Sequence, residues 1–169
     1  MNEPAIRMEE QIISLFQDRE TLVCQGWILK KKGGHLCVYP LYYKYSQGNI
    51  PDNIRKCEEI SHRNGLDCVF RIVEHTNYHL SSILTDNGYV LKECGVVGEW
   101  NITEDAGNLP DVGIEDILWF SIDNGVTRIL ADVPGKEELP EQYGRAGFRR
   151  AYLYRCYQKE EKSSKEQED

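Results

Sequence analysis

Tyr143 stands in the stretch Tyr143-Gly144-Arg145-Ala146-Gly147-Phe148, where helical spacing sets it on one face with Leu139 and Ala146. A phenol on such a face is either a core residue bonded to a neighbour or a proton donor. The matching place in an earlier copy of the same pattern holds Leu84, so the packing does not require a hydroxyl. Glu99, between Gly98 and Trp100, and Glu104 bring carboxylates to a run interrupted by Gly95 and Gly98. A strand splayed at those glycines frees backbone N–H groups to polarise a carbonyl, with Glu99 as the preferred base beside them. Either carboxylate also reads as a solvated strand end, the commoner case. His75 and His79 have a one-face helical spacing, but no third ligand accompanies them, and Thr76-Asn77 reads as a helix cap that leaves His75 outside. No metal site is expected. No P-loop, nucleophile elbow or dinucleotide fingerprint is present.

The elements that must carry these residues follow a pattern written twice. Gly48-Asn49-Ile50-Pro51-Asp52 and Gly107-Asn108-Leu109-Pro110-Asp111 each open a helix-like stretch ending in Asn-Gly, at Asn64-Gly65 and Asn124-Gly125. A short apolar run follows in each, Val69-Phe70-Arg71-Ile72-Val73 and Ile129-Leu130-Ala131-Asp132-Val133. A second helix and a glycine-aromatic pair, Gly88-Tyr89 or Gly147-Phe148, then complete the unit. Landmarks recurring about 60 residues apart predict a duplicated α-β-α-β block. Within the first copy, Ile54, Cys57 and Ile60 mark a helix ending at Gly65, residues 68–73 a strand covered on both faces, and Leu80, Ile83 and Leu84 a second helix. Residues 89–103 form a long strand. In the second copy, Ile114, Ile117, Leu118 and Ile122 mark a buried helix starting near Asp111 to Gly113, followed by a strand at 127–133, a helix at 137–146 with Pro140 in its first turn, and a strand at 148–157. Ahead of both copies, residues 5–16 form an amphipathic helix, and residues 24–31 and 36–43 a hairpin around Gly33-Gly34. Lys30, Lys31 and Lys32 at its tip read as a charged edge rather than a phosphate site.

The closing segment, with Tyr143 separated by three residues from Gly147-Phe148 and then Tyr152-Leu153-Tyr154-Arg155, resembles the C-terminal signature of the GNAT superfamily of N-acetyltransferases. Gly26-Trp27-Ile28-Leu29-Lys30, Val38-Tyr39-Pro40-Leu41-Tyr42, Cys57-Glu58, Gly65-Leu66 and Val69-Phe70-Arg71-Ile72 resemble the degenerate N-terminal module of a tandem GNAT group. The resemblance spans residues 20–158. It implies a GNAT-like α/β fold with a mixed twisted sheet flanked by helices, and acetyl-CoA as cosubstrate. Residues Val97 and Gly98, the helix start Asp111-Val112-Gly113 and Lys136 fall where the cosubstrate would be held. Tyr143 falls at the position of the proton donor to the leaving thiolate, with Glu99 as base. The family cradles pyrophosphate on a Q/R-x-x-G-x-G/A loop at a helix N-terminus. Here the matching stretch, Asn108 to Gly113, lacks the cation and one glycine, and Asp111, Glu115 and Asp116 would compete with phosphate. Two functions follow as expectations: N-acetyl transfer to a small amine or an exposed protein amine, or a catalytically inactive GNAT-derived ligand-binding or regulatory module.

Composition narrows the partners. The chain has 169 residues, 40% hydrophobic and 28% charged, and a net charge of −8. That charge speaks against nucleic acid, whose phosphates call for a clustered cationic surface, and suits a cationic or amine-bearing partner. No apolar run is long enough to span a membrane and no signal segment is seen, so a cytoplasmic protein is expected. The six scattered cysteines read as reduced, buried thiols. One domain is expected over residues 1–158, with pseudo-repeats at about 36–94 and 95–158 and a disordered charged tail at 159–169. A homodimer through a sheet edge or the first helix is compatible with this reading.

Overall fold

The computed structural model describes residues 3–14, 21–41, 49–74, 79–103, 117–122 and 126–160. Within them four helices and eight strands alternate: α1 (Glu3–Ser14), β1 (Thr21–Cys24), β2 (Trp27–Lys32), β3 (His35–Tyr39), α2 (Ile50–Arg63), β4 (Asp67–Val73), α3 (Leu80–Asp86), β5 (Tyr89–Thr103), β6 (Ile117–Ile122), β7 (Val126–Pro134), α4 (Glu141–Ala146) and β8 (Arg149–Lys159). The strands join in one mixed sheet in the order β1-β2-β3-β4-β8-β5-β7-β6. Only β3 and β4 pair in parallel, and α2 is their crossover.

Local chemistry explains the first half. Asn49 caps α2 by accepting a hydrogen bond from the Asp52 N–H at 2.8 Å, and Ile50-Pro51 begin the helix where the missing N–H of proline costs nothing. The chain leaves through Gly65 at φ 64°, a left-handed position suited to glycine. Ile54 and Cys57 on the buried face of α2 pack with Trp27, Leu29, Leu36, Val38, Phe70, Leu84 and Tyr89. Phe70 stands edge-on to both Trp27 and Tyr89, with ring centroids 6.1 and 5.1 Å apart. The predicted hairpin is present as β2 and β3, but residues 21–24 form a further edge strand, turned back at Gln25-Gly26, both of positive φ.

The second half departs from expectation. Residues 117–122 are not helical; they form β6, antiparallel to β7, with Ile122 opposite Val126. An apolar run of this length carries no decisive period, and Ile117-Leu118-Trp119-Phe120 is rich in residues favoured on a sheet. The Asn-Gly that caps a helix at Asn64-Gly65 recurs at Asn124-Gly125 between two strands, the context in which this dipeptide signals a hairpin. Among the described residues, the segments expected to match therefore read helix-strand-helix-strand (α2-β4-α3-β5) and strand-strand-helix-strand (β6-β7-α4-β8). Helix α4 is also shorter than expected, with Pro140 as its N-cap residue.

Strand β5 carries the irregularity expected near its glycines, a register shift against β8 between Val97 and Gly98, but it stays in the sheet: Gly95 to Glu99 have partners in β7 on one side and in β8 on the other. The glycines serve packing instead. A side chain at Gly95 would collide with the Tyr154 ring, and one at Gly98 would meet Leu139 at 3.0 Å.

Alternation along the strands divides the core between two faces. Val96, Ile129, Ala131, Tyr143 and Phe148 cluster on one, and Val97, Leu130, Tyr152 and Tyr154 on the other with α1. Helices α2 and α4 pack on the first face, and α1, through Ala5, Met8, Ile12 and Ile13, on the second. No helix among the described residues is long and apolar enough to cross a membrane.

Candidate functional site

The expected donor and base do not meet. Tyr143 is 2% exposed and packs edge-on against Phe148 at 5.7 Å, inside the cluster under α4. Glu99 has the parity of Val97, on the face of α1, and is bound by Arg149 at 2.8 Å. The sheet itself stands between them. Val97 and Gly98 are buried within paired backbone, and Lys136 is exposed on the connection from β7 to α4. Glu104, Asp111, Val112, Gly113 and His75 lie outside the described residues. His79 is the residue before α3 and makes no side-chain cap bond. No group of three His, Cys, Asp or Glu suited to a metal occurs among the described residues.

A different constellation lies beneath α1. Arg71, in the middle of β4, donates through Nε and Nη2 to both oxygens of Glu9 at 2.6 and 2.8 Å, and through Nη1 to Asp132 at 3.0 Å. Its guanidinium lies 3.6 Å from the centroid of the Tyr154 ring. The Tyr154 hydroxyl donates to Asp132 at 2.7 Å and the Tyr152 hydroxyl to Glu9 at 2.8 Å. Glu9 is wholly buried and Arg71 nearly so. Four elements, α1, β4, β7 and β8, are thereby tied at one point.

Electrostatics follow from that arrangement. Burial acts to raise the Asp132 carboxyl, but the Arg71 charge and hydrogen bonds from Tyr154 and Arg71 outweigh it and hold the group below the usual carboxylate range. For Arg71, burial disfavours the cation, yet Glu9 and Asp132 together keep it firmly protonated. Tyr152 and Tyr154 are pushed up, first by burial and then by the carboxylates they serve. Both remain neutral donors.

Beside this cluster, on the same face and beyond the reach of α1, a cavity of about 310 Å³ opens between β2, β3, β4, β8 and β5. Cys37, Tyr39, Val69, Arg71, Tyr154 and Cys156 form its inner wall, and Lys32, His35, Lys92 and Glu93 stand at its more exposed end. The Tyr39 hydroxyl is buried without a hydrogen-bond partner at standard geometry, its neighbour being the Cys37 thiol, a weak one. Burial raises both the Cys37 thiol and the Tyr39 phenol, so each is a neutral group. A larger hollow of about 520 Å³ lies across the sheet between α2 and the ends of β5 and β8; its Glu58 already serves the Tyr89 hydroxyl at 2.7 Å and the Lys159 ammonium at 3.1 Å.

Sequence reasoning passed over the Arg71 cluster. Its signal was a charge inside each apolar strand run, Arg71 in Val69–Val73 and Asp132 in Ile129–Val133, at positions where an unpaired charge cannot be buried. Two opposite charges in two core strands imply a pairing, here one that spans β8 and β5, which lie between β4 and β7. Glu9 gave no such sign, because a carboxylate on an amphipathic helix is ordinary.

No protein-family model, curated protein or solved structure matches the chain.

Proposed function

We propose that the chain is a ligand-binding or regulatory module derived from a GNAT-type fold, without acetyl-transfer activity, and that its ligand site is the cavity beside Arg71. The observation that carries this reading is the conformation of Ile117–Ile122. The run expected to continue the phosphate-binding helix is a strand hydrogen-bonded to β7, so no helix dipole runs through it. The described residues do not fit acetyl-CoA. Gly95 to Glu99 are paired with β7 and β8, with one register shift at Val97/Gly98, and the start of α2 is filled by Asn49. The positions of Tyr143 and Glu99 on opposite faces point the same way.

The test is thermal. A cosubstrate that binds the native state raises the melting temperature by mass action, by an amount worth about 2.7 kcal/mol at a hundred times Kd. Millimolar acetyl-CoA is expected to leave Tm unchanged, and a panel of amines to release no free CoA thiol. A concentration-dependent rise in Tm, with thiol release that Tyr143→Phe slows, would establish the N-acetyltransferase reading instead.

A further inference from the structure

We propose that Cys24 and Cys57 are joined by a reversible disulfide when the chain meets a peroxide, a redox latch that fastens the edge strand β1 to helix α2. The inference stands apart from the ligand-binding reading, since neither residue lines the cavity beside Arg71.

Position brings the two sulfurs together. Strand β1 is the last in the sheet order, and β2 is its one neighbour among the described strands. Thr21, Leu22 and Val23 are exposed, Val23 to 69%, so Cys24 is the residue through which this strand enters the core. Cys57 lies on the buried face of α2, one turn from Ile54 and wholly out of solvent. Both belong to one packed cluster with Trp27, Leu29 and Phe70, and within it their thiols share a hydrogen bond.

The other cysteines are placed differently. Cys68 also neighbours Cys57, but its thiol is engaged with Ser61 and Tyr89. Cys37 and Cys156 belong to the α1 face, on β3 and β8 with β4 between them. Cys94 sits on β5 opposite Arg155.

The less buried sulfur reacts first. Cys24 keeps 8% of its surface against none for Cys57, and a strand of four residues paired on one side frays more readily than the rest of the sheet. Its sulfur attacks the O–O bond and keeps one oxygen as a sulfenic acid, while its proton leaves with the other oxygen as water. The Cys57 sulfur then attacks the Cys24 sulfur. The S–O bond breaks, the S–S bond forms, and the departing hydroxyl takes the Cys57 proton as a second water. That order suits Cys57, which burial holds in the protonated form until the hydroxyl accepts its proton. Two thiols have lost two electrons, and the peroxide has gained them. A dithiol reductant restores the pair by exchange. An S–S bond of about 2.05 Å is shorter than any thiol–thiol contact, so one side must shift, and the singly paired β1 is the side able to do so.

The experiment exposes the folded chain to millimolar hydrogen peroxide, blocks the remaining thiols with iodoacetamide under denaturing conditions and maps tryptic peptides by mass spectrometry. Cleavage after Lys30, Lys56 and Arg63 places Cys24, Cys57 and Cys68 on separate peptides. The expected product has lost two hydrogens, keeps four of its six thiols and yields the Cys24 peptide linked to the Cys57 peptide. The oxidised protein should melt roughly 5–15 °C higher, as a cross-link closing a loop of this length does, and return to its starting Tm with dithiothreitol. Cys24→Ala, a change at the sheet edge, should abolish both the linked peptide and the rise. Six intact thiols, a Cys57–Cys68 link, sulfinic acid at Cys24 with Cys57 unmodified, an equal yield of the link from the urea-unfolded chain, or an unchanged Tm would each overturn the proposal.

Discussion

Replacing Arg71 by methionine tests the view that a single buried ion cluster fastens α1 to the sheet. The substitution keeps most of the side-chain volume but removes three hydrogen bonds, at 2.6 and 2.8 Å to Glu9 and 3.0 Å to Asp132. Glu9 is then left wholly buried with the Tyr152 hydroxyl as its remaining partner, and Asp132 keeps Tyr154. Breaking one side of a buried pair costs about 3–5 kcal/mol, most of it the burden of the orphaned carboxylate. For a chain of this size that is a fall in Tm of roughly 6–20 °C. Urea denaturation of Arg71→Met, Glu9→Gln and the double variant supplies the assay. Because the cost lies in the unpaired charge, the double variant should be less destabilised than the two single losses added together, the mark of coupled sites. Acid titration adds a second reading. The Asp132 carboxyl is held below its ordinary value in the folded state, so its contribution is present above the unfolded pKa of about 3.9 and is lost as pH falls through the folded value. Arg71→Met removes the group that holds it down and should flatten that acid limb. A change in stability within about 0.5 kcal/mol, or strictly additive losses, would refute the reasoning.

At alkaline pH the partly buried thiols of Cys68 and Cys156 act in the opposite sense. Burial pushes Cys68 and Cys156 up to about 12, so between pH 9 and 12 the unfolded chain gives up protons that the folded one keeps. Stability should be complete below the unfolded thiol value near 8.5 and fall by roughly 1.4 kcal/mol per pH unit per thiol above it, as read from melts between pH 8 and 11, and Cys68→Ala or Cys156→Ala should reduce that slope. Gly95→Ala should cost about 1–3 kcal/mol in urea unfolding, because the new methyl meets the Tyr154 ring, whereas Gly98→Ala should cost less because only the flexible end of Leu139 must shift. Tyr39→Phe should leave stability unchanged or raise it by up to about 1 kcal/mol, since the buried hydroxyl it removes has only the weak Cys37 thiol beside it.

Legibility in the sequence followed the strength of local signals. Helix α2 was readable because its cap Asn49, its Pro51 and its closing Gly65 agree with its apolar stripe, and β4 because a short run bounded by Gly65 and a polar segment suits only a covered strand. Residues 117–122 were not readable, since Trp119 and Phe120 fill a helix stripe and a buried strand alike, and a presumed repeat lent the helix undeserved support. The candidate site suffered from the same borrowing. Tyr143 and Glu99 are 44 positions apart in the chain and were joined through a resemblance, whereas the Arg71 cluster draws on positions from 9 to 154 that only the sheet order brings side by side. Long-range pairing of charges leaves no local period to detect.

The sheet also decides how far the acetyl-transfer reading can be stretched. Bringing Tyr143 and Glu99 to one cleft would require β5 to slip by one residue against β7 and β8, which reverses the facing of every side chain on that strand. Val97 would then leave the cluster under α1, Val96 would leave the cluster under α4, and Gly95 would no longer sit beneath the Tyr154 ring. The bulges in the β5–β8 pairing, between Leu91 and Glu93 and between Val97 and Gly98, resist such a slip because each fixes the register on both sides of it. A side-chain rotation does not help either, since a hydrogen-bonded layer of backbone separates the two groups. The face that offers a cavity is the one on which α1 packs, where Lys32, His35 and Lys92 line the more exposed part and the Cys37 thiol and Tyr39 phenol, both kept neutral by burial, line the inner part.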